Sequence, residues 1–266
     1  MDIEVSAKQF IKSNNFNPSK KMGQNFLINE KICKNLVDSI NFTNVDLIIE
    51  IGPGLGAITK YLNMHNVPIT AIELDKRLSE FVHTKFTNIN LINNDVLKVD
   101  FNELTAKYSS PIIVSNLPYS ISSIVVIKFV KSNIKTMYCM LQKEMVLRLL
   151  AKKSTHEYNA FTVLLQTYAN IKKITDVSKS NFLPPPNVDS IFIVIEKNNL
   201  TYDEKYDKFV RQCFLSKRRT LVNNLKDIVD KNKLINFLND NKLSLSVRAE
   251  ELDIKQFQNL FNAITE

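Results

Sequence analysis

The sequence predicts an α/β protein: an open parallel sheet over residues 1–200, followed by a small all-helical domain over 201–266. Three observations carry this. Short β-branched runs alternate with helical patterns from Val45 to Glu196, the strand signal stops at Tyr202, and three glycines alternate directly after the first clear strand, in Glu50-Ile-Gly52-Pro-Gly54-Leu-Gly56. The whole chain holds only 4 glycines, where average usage of ~7% would supply about 18 or 19. Glycine retained here marks a backbone that turns sharply or approaches a ligand closely.

Composition sets the bounds. With 266 residues and 44% hydrophobic content, the chain can bury a full core in one large domain plus a smaller one. A formal charge of +8, from 35 Lys and Arg against 27 Asp and Glu, favours an anionic partner, nucleic acid foremost. Cys33, Cys139 and Cys213 are scattered and His65, His83 and His156 are isolated. Neither a disulfide framework, a metal centre nor a Ser-His-Asp relay is suggested, and reduced thiols in a cytoplasmic protein fit. The stretch from Met1 to Phe16 interleaves charges with apolar residues and has no continuous apolar core, so it is neither a secretory signal nor a transit peptide. The most apolar run, Ile124 to Val130, is broken by Lys128 and too short to span a bilayer.

Along the chain, a basic step at Lys20-Lys21 leads into Gly23-Gln24-Asn25-Phe26-Leu27, by itself a turn into the amphipathic segment Glu30 to Ile40. A strand from Val45 to Ile51, the glycines, a helix from Ala57 to His65 and a strand from Ile69 to Ile72 form a β-turn-α-β unit. Glu73-Leu-Asp75 closes it, and so puts an acidic residue about 20 positions beyond the glycines, where nucleotide-binding α/β folds place a carboxylate under a ribose. The loop lacks a phosphate-binding Lys, and Glu50 puts a negative charge where a pyrophosphate would be repelled. A cationic, ribose-bearing ligand suits it better, which favours S-adenosylmethionine over NAD. Asp95, just past a strand from Ile89 to Ile92, can accept from an adenine amine or serve a plain turn.

A strand from Ile112 to Ser115 runs into Asn116-Leu117-Pro118-Tyr119, on the sheet edge where such folds bind ligands. An adenine amine is a poor nucleophile because its lone pair is delocalised into the ring. The Asn116 side-chain carbonyl and a backbone carbonyl of the Leu117-Pro118 segment can accept its two N–H groups and draw the nitrogen toward a tetrahedral geometry. Pro118 stiffens that backbone and Tyr119 can stack on the base. Helices from Ser122 to Lys131, Lys143 to Lys153 and Ala160 to Ala169 follow, with strands from Met137 to Leu141, Ile171 to Val177 and Ser190 to Glu196. Between the last two, the triple proline of Asn181-Phe182-Leu183-Pro184-Pro185-Pro186 holds an extended loop that can present Phe182 to the other face of a base. In the helical region, Lys217-Arg218-Arg219 and Arg248 suggest phosphate contacts.

These motifs resemble the KsgA family of ribosomal RNA adenine dimethyltransferases over essentially the full length, from Gly23-Gln24-Asn25-Phe26-Leu27 to Arg248-Ala249-Glu250-Glu251-Leu252. Asn-Leu-Pro-Tyr, the Phe-x-Pro-x-Pro-x-Val-x-Ser run and the arginine-led carboxyl-terminal motif are narrow signatures; alternating glycines are common among methyltransferases. The resemblance implies a Rossmann-like class I S-adenosylmethionine-dependent methyltransferase sheet and a helical RNA-binding domain. It places Asn25, Leu27, Gly52, Glu73, Asp95 and Asn116 in the cofactor pocket, and gives Asn116, Leu117, Pro118, Tyr119 and Phe182 the target base. The implied partner is small-subunit ribosomal RNA in the immature small subunit, dimethylated at two adjacent adenosines near its 3′ end, with no metal and no membrane. Ser120, Val222 and the order Lys217-Arg218-Arg219 depart from the family pattern. Two relatives share much of it: the large-subunit adenine methyltransferases that confer macrolide resistance, and non-catalytic nucleic-acid-binding proteins of the same fold. Leu117 and Arg248-Ala249-Glu250-Glu251-Leu252 favour the small-subunit branch over the first, and intact Asn116 and Tyr119 argue against the second.

Overall fold

The computed structural model describes residues 3–19 and 22–265, so the Lys20-Lys21 step lies outside the described residues. The first stretch forms helix α1 (Ile3–Ser13), because Ile3, Ala7 and Phe10 fall on one face at helical spacing and are buried. A two-residue strand β1 (Phe26–Leu27) precedes α2 (Glu30–Asp38), whose amino end is capped by the Asn29 side chain. Strand β2 (Leu47–Ile51) follows, and all five of its residues are buried.

The helix expected from Ala57 to His65 is shorter. The chain stays in turns past the glycines, forms one helical turn, α3 (Thr59–Leu62), and ends in a 3₁₀ turn at Asn63–His65. All four glycines of the chain have positive φ. At Gly56, with φ of +77°, a Cβ would also lie 2.5 Å from Cε2 of Phe86, so both conformation and packing demand glycine.

Strand β3 (Ile69–Glu73), helix α4 (Lys76–Lys85), strand β4 (Asn90–Asn93), helix α5 (Phe101–Thr105), strand β5 (Pro111–Asn116), helix α6 (Ser122–Lys131) and strand β6 (Thr136–Gln142) continue the alternation. Helix α7 (Lys143–Leu149) stops four residues before the expected Lys153, and α8 (Ala160–Tyr168) gives way at Ala169 to β7 (Ala169–Val177). A two-residue β8 (Phe182–Leu183) pairs antiparallel with β1, and β9 (Ser190–Lys197) completes the strands. Four helices follow: α9 (Glu204–Cys213), α10 (Leu221–Leu225), α11 (Lys231–Asp240) and α12 (Ile254–Thr265).

The main sheet has the order β4-β3-β2-β5-β6-β9-β7. The β4-β3, β3-β2, β2-β5 and β5-β6 pairs are parallel, whereas β9 runs antiparallel to β6. The chain therefore leaves β2 toward β3 and β4 on one side and returns to β5 on the other. A crevice opens beyond the carboxyl ends of β2 and β5, the switch point at which open α/β sheets bind ligands. The core joins β-strand residues Ile48, Ala71, Val114 and Met140 to Leu36 and Val37 of α2, Leu62 of α3 and Val82 of α4. A second cluster holds Ala7, Phe10, Phe16, Phe26, Leu55 and Leu78, with the Phe10 and Phe81 rings 4.5 Å apart.

The chain divides into two compact units, Met1–Val146 with Asn170–Asn198, and Leu147–Ala169 with Asn199–Glu266. Residues 147–169, expected with the sheet, belong with the carboxyl-terminal helices. The cause is packing, since α8 lies against α9 and α12, the buried Tyr158 hydroxyl donates to the Leu252 carbonyl at 3.0 Å, and the Thr167 and Tyr206 hydroxyls meet at 3.2 Å. Among the described residues no helix is long and apolar enough to cross a membrane, and no group of three or more His, Cys, Asp or Glu is placed to hold a metal ion. All three cysteines are buried and free.

Candidate active site

A cavity of about 490 Å³ occupies the switch-point crevice, within the first unit. Asn25, Leu27, Gly52, Glu73, Asp95, Asn116 and Pro118 all line it, although they span more than ninety positions of sequence. The parallel register brings Glu50 opposite Ala71 and Val114, so the ends of β2, β3 and β5 reach the same edge together.

Glu50 lines the cavity at 2% exposure, and its Oε2 has no hydrogen-bond partner. Burial pushes its carboxyl up to about 7; Thr59 opposes the shift and the nearby Glu73 carboxylate adds to it. A buried carboxylate oxygen without a partner is costly, and a cationic or hydrogen-bonding ligand group would satisfy it.

Glu73 is held differently. Its Oε2 accepts from Gly54 N at 3.1 Å and its Oε1 from Asp75 N at 2.9 Å. The carboxylate is thus clamped at the mouth of the glycine turn, with further lone pairs left for ligand hydroxyls. Burial raises its pKa, and the two amides counter the effect.

Asp75, the other carboxylate of Glu73-Leu-Asp75, serves the local framework instead of lining the cavity. It caps α4 through the Arg77 backbone amide, takes the Arg77 guanidinium at 2.8 and 3.1 Å, and accepts from Gln24 Nε2 at 3.1 Å. The Arg77 guanidinium, chiefly, holds the Asp75 carboxyl below the usual range. Asp95 is half-buried, and its Oδ1 accepts from Leu97 N at 2.9 Å, a turn that fixes the carboxylate at the cavity edge.

Asn116 is the last residue of β5, and its Nδ2 donates to the backbone carbonyl of Asn25 at 3.2 Å. That bond sets the amide's orientation and leaves Oδ1, the acceptor, to the cavity. Gly23, with φ of +65°, permits the close approach that makes it possible, for a Cβ there would sit 3.3 Å from Pro118 Cβ and 3.4 Å from Tyr119 N. Leu117 is buried beneath the site. Tyr119 is half-buried, and its hydroxyl meets Ser190 Oγ at 2.8 Å. Burial raises the Tyr119 pKa.

Phe182 differs from the expectation. Instead of facing the cavity as a stacking ring, it is 2% exposed in the core with Val177 and Phe192. The reason is its pairing with Leu27 across β1 and β8, which turns the ring inward beneath the loop. The contact between the two motifs is made instead by Ser190, the last residue of the Phe-x-Pro-x-Pro-x-Val-x-Ser run, at the Tyr119 hydroxyl. In the second unit, Lys217 pairs with Glu250 at 3.3 Å and donates to the His156 carbonyl, while Arg218 and Arg219 are exposed.

A family model described as ribosomal RNA adenine dimethylase matches residues 15–266. The chain is 45% identical over 247 residues to the ribosomal RNA small subunit methyltransferase A of Malacoplasma penetrans, covering 91% of this chain and 90% of that protein. Among solved structures it is similar to a dimethyladenosine transferase from Plasmodium falciparum, with a TM-score of 0.74, 23% identity and coverage of 89% of this chain and 96% of that one. It is also similar to the 23S rRNA methyltransferase ErmE, with a TM-score of 0.68, 21% identity and coverage of 91% and 100%. The two structures bear on the fold alone, a Rossmann-like class I methyltransferase sheet with a helical unit. The match of the family model over nearly the whole chain, with a relative at 45% identity across it, goes further: this chain belongs to the ribosomal RNA adenine dimethylase family.

Proposed function

We propose that this chain dimethylates the N6 amines of two adjacent adenosines near the 3′ end of small-subunit ribosomal RNA, on the immature subunit in the cytoplasm, using S-adenosylmethionine. The observation that carries this reading is Asn116, whose amide is oriented by the Asn25 carbonyl so that Oδ1 is free to accept at the cavity. With a backbone carbonyl of Leu117-Pro118, it would take both N–H groups of an adenine amine and make its lone pair available. Tyr119, anchored at its hydroxyl by Ser190, offers the stacking face. No strong base is required, because the alkylated ammonium is acidic.

The lining also fits the cofactor. When bound, S-adenosylmethionine supplies an electrophilic methyl group on a sulfonium. Glu73 would hold the ribose hydroxyls, Asp95 the adenine amine, and Asn25, Leu27 and Gly52 the surrounding wall. The unpartnered Glu50 Oε2 supplies a negative charge toward the cationic end. The second unit would contact RNA phosphates through Arg218, Arg219 and Arg248. Similarity to a small-subunit methyltransferase, 45% identical over 91% of this chain, supports that substrate over large-subunit RNA.

Glu50 makes a pH prediction. Its carboxyl titrates near 7 against an ordinary 4.5, so lowering the pH below 7 neutralises the group that favours a cation. The dissociation constant for S-adenosylmethionine, measured by titration calorimetry, should rise about tenfold from pH 7 to 5.5, and Glu50→Gln should flatten that dependence. The stability of the ligand-free protein runs the opposite way. The folded state holds this proton more tightly, so the contribution is full below 4.5 and lost as pH rises through 7.

The direct test is labelled-methyl transfer to small subunits from a strain lacking the adenine dimethylation, beside protein-free large-subunit RNA. Dimethyladenosine in the small subunit alone is the expected result. Labelling of the large-subunit RNA alone would reassign the substrate, and labelling of neither, with cofactor bound, would leave a binding protein.

A further inference from the structure

Gln24 belongs to the motif that opens the cavity wall, and both ends of its side-chain amide are engaged. Ser19 N donates to Gln24 Oε1 at 2.7 Å, and Gln24 Nε2 donates to Asp75 Oδ2 at 3.1 Å. The polarity cannot reverse, because a flipped amide would set its NH₂ against the Ser19 N–H and its oxygen against a carboxylate. Backbone closure is reinforced by Gln24 N donating to the Ser19 carbonyl at 3.1 Å. Asp75 is fixed in turn by the Arg77 guanidinium, which lies 4.3 Å over the Phe16 ring, and by its own amide bound to Glu73.

On the other side of Gln24, the chain makes two contacts with the transfer end of the cavity. Gly23 packs on Pro118 and Tyr119, and the Asn25 carbonyl receives the Asn116 Nδ2 proton. The residue between them therefore links the carboxylate cluster at Glu73 and Asp75 to the amide that faces the reacting amine. We infer that Gln24 is a positioning residue for methyl transfer: its bridge from Ser19 to Asp75 holds the Asn25 carbonyl where it orients Asn116. This inference rests on the proposed transfer reaction.

The bridge sets an orientation, so its loss should act on turnover more than on cofactor affinity. In Gln24→Ala, kcat at saturating S-adenosylmethionine should fall about tenfold or more, since misplacement of a positioning group by ~1 Å costs up to about 100-fold. The cofactor dissociation constant should rise by less than kcat falls, because Glu50, Glu73 and Asp95 all remain and Gln24 reaches Glu73 only through Asp75. Gln24→Glu should be worse, as it sets two carboxylates against each other.

Thermal melts of each variant, cofactor titrations and single-turnover transfer to small subunits would be measured together. Unchanged kcat in Gln24→Ala would overturn the inference. So would a rise in cofactor dissociation constant with full turnover at saturation, which would mark a wall of the cofactor pocket and nothing more. A folded Gln24→Glu variant with the turnover of wild type would do the same. A wild-type protein that binds the cofactor yet methylates no adenine would instead remove the transfer reading, and the inference with it.

Discussion

Asn116→Ala should abolish methyl transfer, by about 100- to 1,000-fold or more in kcat, while S-adenosylmethionine still binds. The side chain contributes an oriented acceptor, and an alanine leaves the adenine amine with one carbonyl partner and a lone pair still delocalised. Its removal also leaves the Asn25 carbonyl without the Asn116 donor. Cofactor affinity is expected to weaken only modestly, because Glu50, Glu73 and Asp95 keep their positions on three other strand ends. Single-turnover transfer to undermethylated small subunits, beside calorimetry with the cofactor, separates the two effects. Turnover equal to wild type would refute the assigned role.

Glu73→Gln should act on the other quantity. The carboxylate accepts from Gly54 N and Asp75 N on its two oxygens, and a glutamine can accept on only one. Its NH₂ would face one of those amides, donor against donor, and the ribose hydroxyls would lose a charged acceptor. Hydrogen bonds to charged groups contribute roughly 1.5–3 kcal/mol each, so the cofactor dissociation constant should rise by about 100-fold. Part of the transfer rate should return at high cofactor concentration, a recovery not expected of Asn116→Ala. Equal cofactor affinity in Glu73→Gln and wild type, measured by calorimetry, would show that this carboxylate does not hold the ligand. The contrast between the two variants maps the cavity into a binding end under β3 and a transfer end at the tip of β5.

Much of this was legible in sequence because it is local. Glycine at positive φ, a carboxylate at a strand end and an Asn-Leu-Pro-Tyr turn are consequences of a few neighbouring residues. The alternation of strands and helices is read from short-range periodicity, and so is the loss of strand signal after Tyr202. Helix α1 obeys the same periodicity, in the spacing of Ile3, Ala7 and Phe10.

The sequence by itself thus determined the fold class, the β-turn-α-β unit, the family motifs and seven residues of the cavity lining, Asn25, Leu27, Gly52, Glu73, Asp95, Asn116 and Pro118. The tertiary structure decided what depends on partners far along the chain. Gln24 meets Asp75 51 positions away, and Tyr119 meets Ser190 71 positions away. Phe182 goes inward because β8 pairs with β1, and residues 147–169 leave the sheet unit because α8 finds its apolar partners in α9 and α12. Such contacts leave no periodic trace, since a side chain's local pattern states that it will be buried but not against what.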